Sequence, residues 1–187
     1  MRRLVALMSL SALLTPFASA QIGVPEPPVP VCVEGVTGRG LLGSDSPGLL
    51  RRTEFAMEVY RYWFRCPWEP CEYIRGYFWL RLWEESGTVV VLRTDRIEQF
   101  LLEETSEGWL ARFSGPAVVT ISRGGFTRSF RGRVAVQALD GRPSPCLECP
   151  TDRLRVTFTS PDLPGPITVE GYVIPRTGEV RTFRRCG

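Results

Sequence analysis

From Tyr73 to Trp83 the chain alternates strictly. Ile74, Gly76, Phe78, Leu80 and Leu82 occupy one parity, while Tyr73, Arg75, Tyr77, Trp79, Arg81 and Trp83 occupy the other. Side chains of a strand point to opposite faces with a period of two, so this stretch is predicted as a strand with one plain core face and one face of rings and guanidinium groups. A helix would scatter both sets around its axis. Glu84-Glu85-Ser86-Gly87 then turns the chain into Thr88–Arg93, which completes a hairpin.

The remainder reads in the same way. Trp109–Phe113, Ala117–Ser122, Arg128–Ala138, Leu154–Thr159, Thr168–Ile174 and Val180–Arg184 are short β-type runs. Gly124-Gly125, Asp140-Gly141, Pro161-Asp162 and Thr177-Gly178 separate them with turn-forming residues. Gly38–Pro47 is expected to be a loop. Thr53–Phe64 fits both a strand and a helical face, with strand preferred, and Asp95–Glu104 fits a short helix or an edge strand. Runs at this spacing predict an all-β fold, an antiparallel sandwich or barrel-like sheet of short strands. The 18 Gly and 16 Pro suit many turns.

Three regions are expected. Residues 1–20 combine Arg2-Arg3, an apolar run from Leu4 to Leu14 and Ala18-Ser19-Ala20, which are the parts of a cleavable secretory signal with the cut after Ala20. That apolar run is too short to span a hydrocarbon core of about 30 Å as a helix. Residues 21–30 are a proline-rich tether, extended by four Pro between Val24 and Pro30. Residues 31–187 form a single β-rich domain. The expected location is therefore secreted or periplasmic, with no membrane span after the signal is cleaved.

Composition limits the chemistry. The chain contains no His, so Ser-His-Asp and Cys-His catalysis, imidazole metal ligands and histidine pH switches are all excluded. All 23 basic residues are Arg, against 20 acidic, for a formal charge of +3, which falls to about +1 once Arg2 and Arg3 leave with the signal. A charge so nearly balanced argues against a nucleic-acid partner, which is usually held by a concentrated basic surplus.

The six cysteines, Cys32, Cys66, Cys71, Cys146, Cys149 and Cys186, are read first as disulfides in an exported chain. Spacing suggests Cys66 with Cys71, Cys146 with Cys149, and Cys32 with Cys186, while a crossed pairing between the two close pairs stays open. Two alternatives compete. Cys66, Cys71, Cys146 and Cys149 could form a four-thiolate zinc site, and Cys146-x2-Cys149 could be a redox pair, although Pro143, Pro145 and Pro150 would interrupt the helix such a pair opens. Disulfides are preferred, with no metal and no cofactor.

Gly76-Tyr77-Phe78-Trp79-Leu80-Arg81, Asp95-Arg96-Ile97, Trp109 to Gly115, Phe130 to Gly141 and Asp152-Arg153-Leu154-Arg155-Val156 together resemble the post-COAP type β-domain of secreted bacterial proteins. The resemblance runs from Gly76 to about Tyr172, and the chain departs from it by inserting Pro143–Pro150. It implies an all-β extracellular module and carries over no catalytic residues.

The leading functional expectation is an exported structural or interaction module without catalytic activity, its partner unknown, with a cell-surface component or glycan as the candidate. The alternative is a carbohydrate- or partner-binding module that uses Tyr77, Trp79, Trp83, Arg75 and Arg81, since flat rings stack on sugars. The remote alternative is a carboxylate-based hydrolase drawing on Glu84-Glu85, Glu103-Glu104 and Asp95. Adjacent strand residues face opposite ways, so neither Glu pair makes a natural acid and base couple.

Overall fold

A computed structural model of the chain describes residues 29–43, 50–66, 70–94, 96–142 and 151–187. The expected signal at 1–20, most of the tether, Asp95, and the Pro143–Pro150 segment with Cys146 and Cys149 lie outside the described residues. The described residues form one antiparallel sheet of ten strands: β1 (Pro30–Gly43), β2 (Leu50–Arg65), β3 (Pro70–Glu84), β4 (Val89–Thr94), β5 (Gln99–Glu104), β6 (Gly108–Arg123), β7 (Phe126–Gly141), β8 (Arg153–Thr159), β9 (Ile167–Val173) and β10 (Glu179–Cys186).

Neighbours in sequence are neighbours in space, as in a meander. The order runs β1-β2-β3-β4-β6-β7-β8-β9, and β9 returns to β1 through Leu42↔Val173 and Gly43↔Tyr172. The sheet thus closes on itself, which settles the choice between sandwich and barrel for the barrel. Two of its walls are split. One edge of β6 is paired by β5 along Trp109–Ser114 and by β4 along Ala117–Ser122. One edge of β1 is paired by β10 along Cys32–Arg39 and by β9 at its end.

Closure explains where the core lies. Inward positions hold Val36, Phe55, Val59, Phe78, Leu80, Val119, Val134, Val136, Leu154 and Phe158, all nearly inaccessible, and Phe78 meets Phe113 edge-on at 6.0 Å. Along β7 the outward Arg131, Arg133 and Gln137 are exposed between buried Phe130, Val134, Val136 and Ala138.

Four expectations need correction. Gly38–Gly43 continues β1 rather than opening a loop: Gly38 and Gly40 lie in register with Met57 and Phe55, Gly38 leaves room for both of those side chains, and Gly40 lets Gly178 and Val173 approach. Five strands run to 14–16 residues, so the strands are not uniformly short. The runs Trp109–Phe113 and Ala117–Ser122 belong to one strand, β6. Pro116, between the two runs, sits where β5 hands over to β4, so its missing N–H costs no ladder bond on that side. Asp140-Gly141 ends β7 instead of forming a turn. The ambiguous segments both resolve to strands, β2 and β5.

Candidate binding face

Strands β2 and β3 pair along nearly their whole length, which aligns their outward parities. Tyr60 lies opposite Arg75, Tyr62 opposite Tyr73, Glu58 opposite Tyr77, Ala56 opposite Trp79 and Arg52 opposite Trp83. The face continues onto β1 and β10, where Gly35 lies between Tyr60 and Phe183 in register. A Cβ on Gly35 would come within 2.8 Å of the Phe183 ring and 2.9 Å of the Tyr60 ring. Glycine there lets the two rings meet at 5.6 Å. A run of rings then extends from Phe183 through Tyr60 and Tyr62 to Phe64 and Tyr73, with centroid separations of 5.6–6.3 Å.

The guanidinium groups lie on rings. Arg75 sits 5.9 Å from the Tyr60 centroid and 5.5 Å from that of Tyr62, while Trp83 is flanked by Arg81 at 4.9 Å and Arg52 at 5.5 Å. Stacking of this kind holds flat groups parallel to the sheet and half-buries them. The five residues singled out from the sequence, Arg75, Tyr77, Trp79, Arg81 and Trp83, therefore share one outward face. Tyr73 (56%) and Tyr77 (45%) are its most exposed rings, whereas Trp79 and Trp83 are half-buried. Tyr77, Trp79, Arg81, Val91, Arg93 and Thr94 border a groove of about 440 Å³ between β3 and β4. The Tyr60 phenol is pushed up to about 12, first by burial and then by its hydrogen bond to Glu58, so it stays neutral and packs as a ring. Gly76, at φ +153, puts its missing Cβ 2.2 Å from the Glu58 carbonyl, so β2 and β3 approach closely beneath the rings.

Two cysteine pairs lie at disulfide distance. Cys32 and Cys186, register partners on β1 and β10, join residues 154 apart in sequence. Cys66 and Cys71 staple the β2–β3 hairpin beside Phe64. With Cys66 and Cys71 bonded to each other, their sulfurs have no thiolate to offer the four-cysteine zinc arrangement. Among the described residues no cluster of three or more metal-ligating side chains forms.

The carboxylates proposed for hydrolysis are engaged separately. Glu103 pairs with Arg112 at 2.9 Å, Glu104 with Arg142 at 3.4 Å, and Glu84 accepts the Ser86 hydroxyl at 3.1 Å.

The sequence reading missed two polar groups inside the barrel. Glu34 is completely buried on β1 and is bound by Arg61 of β2 and by Arg184 of β10, the latter at 2.8 Å. Arg61 lies 4.2 Å from the Trp63 ring and Arg184 lies 5.5 Å from Trp109, with Arg184 also donating to the Leu102 carbonyl of β5 at 3.2 Å. Nearby, Asp152 accepts the Val180 amide at 2.7 Å and the Gly141 amide at 3.1 Å, and Asp140 accepts both the amide and the hydroxyl of Thr182. These carboxylates satisfy the backbone edge of β10 that faces away from β1. A sequence signal did exist: Glu34 shares the parity of buried Val36, and Arg61 that of buried Val59.

Fold and face together define an all-β, closed antiparallel meander with an outward ladder of rings and arginines. No family model, curated protein or solved structure matches the chain.

Proposed function

We propose that the chain is an exported, non-catalytic interaction module, that its outward β2–β3 face is the binding surface, and that the partner is carbohydrate. The observation that carries this reading is the closure of the sheet. In a sandwich the ring face could have served as a second core, but here the core fills the lumen while the rings remain outside. Exposed rings in one row suit the flat faces of sugars, and stacked guanidinium groups add donors for hydroxyl or carboxylate substituents. Export is supported by the N-terminal pattern, by the two cysteine pairs and by the absence, among the described residues, of any helix long and apolar enough to cross a membrane.

Titrating the protein with a panel of neutral and acidic polysaccharides while following tryptophan fluorescence tests the face. A saturable change is expected, weakened up to about tenfold by Trp79→Ala or Tyr77→Ala, since stacked aromatics contribute about 0.5–1.5 kcal/mol beyond area. A flat response across the panel overturns the carbohydrate reading.

A further inference from the structure

The two ends of the lumen are filled differently. Near Glu34 the space is occupied by arginines and tryptophans, but at the end formed by the β3–β4 turn and the β8–β9 connection it holds a recess of about 490 Å³. Its floor consists of buried Leu82, Val90, Val119, Val156 and Val169, contributed by five different strands, and half-buried Ile121 and Ile167 form its wall. Among the described residues no basic side chain lines it, although arginine is abundant elsewhere. Glu84, the last residue of β3, holds the inward parity of Leu80 and Leu82 and borders this recess. Among the described residues its carboxylate has one side-chain partner, the Ser86 hydroxyl at 3.1 Å, and no arginine. Glu170, also at the rim, is held outward by Arg155 at 3.6 Å.

We infer that this recess binds a small cationic amphiphile, with its hydrocarbon body on the Leu and Val floor and an ammonium or guanidinium head on Glu84. A largely apolar concavity of this size with a few polar groups, here Glu84, Thr88, Thr168 and Glu170, is the usual form of a small-ligand site, about 300–1,000 Å³. The sign of the head follows from Glu84. An anionic head would stand against the Glu84 carboxylate, which has no arginine partner among the described residues, and a neutral head would leave the Glu84 charge unused.

Calorimetric titration of the whole protein with decylammonium, decanoate and decanol, each below its micellar concentration, tests the assignment. Decylammonium is expected to bind at least about tenfold more tightly than decanoate, the ratio of a charge-assisted hydrogen bond. Glu84→Gln should bring decylammonium down to the level of decanol and leave decanol itself unchanged. Ile167→Trp, which fills the wall of the recess, should weaken all three. The inference is overturned if decylammonium gives no binding, if decanoate binds equally well, or if Glu84→Gln leaves the preference intact. Trp79→Ala on the outward face should have no effect here, so the failure of one site is distinguishable from the failure of the other.

Discussion

Glu34 is the residue on which one end of the barrel depends. Its carboxylate binds Arg61 and Arg184 at once, and a buried charge is tolerated only when paired. Glu34→Gln removes the carboxylate shared by Arg61 and Arg184 and leaves Arg61 only the more distant Glu72 at 3.9 Å, and equilibrium urea unfolding is expected to show a loss of about 3 kcal/mol. Asp152 behaves differently. Burial is the main influence on its carboxyl and raises it above the ordinary aspartate value of 3.8, with the Asp140 charge acting in the same direction. A raised folded value means the native state holds the proton more tightly. The contribution of Asp152 to stability is therefore complete below its ordinary value and declines as pH rises through the elevated one. Measured from about pH 4 to 7, the stability of the wild type should fall relative to Asp152→Asn, which has no proton to lose. A constant difference across that range would contradict the assignment. These roles were hard to see in the sequence because parity shows which way a residue points, not who meets it. Glu34 and Arg184 are far apart in the chain and come together only when β10 lies against β1.

At the scale of elements, alternation was the reliable signal. The paired parities of Tyr73–Trp83 anticipated both faces of β3, since each depends only on local period. Lengths and breaks were less legible. The Gly38–Pro47 stretch read as a loop because the role of its glycines depends on distant neighbours: Gly38 makes room for Met57 and Phe55 across the ladder, and Gly40 for Gly178 and Val173. The strand β10 is the most dependent on distant support: it has one ladder, side-chain bonds on its other edge, and a disulfide at its end. Replacing Cys32 and Cys186 together with Ser should lower stability by about 4–5 kcal/mol, the loop-closure value for a span of this size, against about 2 kcal/mol for Cys66 and Cys71 with their short loop. Urea midpoints of the two double variants would check the order. At the ring face, Gly35→Ala should separate the Tyr60 and Phe183 rings and destabilise the protein, whereas the outward Trp79→Ala should weaken ligand binding with little effect on the unfolding midpoint.

For the molecule as a whole, the strength of the ring is uneven. The β6–β7 ladder runs unbroken from Gly108↔Gly141 to Arg123↔Phe126, while β9 meets β1 at only Leu42↔Val173 and Gly43↔Tyr172, with one further bond from the Ile174 amide to the Leu41 carbonyl. Native-state hydrogen exchange should therefore find the amide of Ile174, which donates to the Leu41 carbonyl across the seam, opening well before those of β6 and β7, and equal protection at the two places would contradict this reading. The meander could be foreseen from the even spacing of runs and turns, but closure could not, because it is decided by two residue pairs between the first strand and the ninth. The same seam sets an order of assembly. A chain emerging from its N-terminus presents β1 long before β9 and β10 exist, so one long edge waits without a partner for most of synthesis or translocation. During that interval the edge is a template for pairing with other chains, and the yield of folded protein should depend more on how quickly the last twenty or so residues arrive, or on a chaperone that shields β1, than on the stability of the finished barrel.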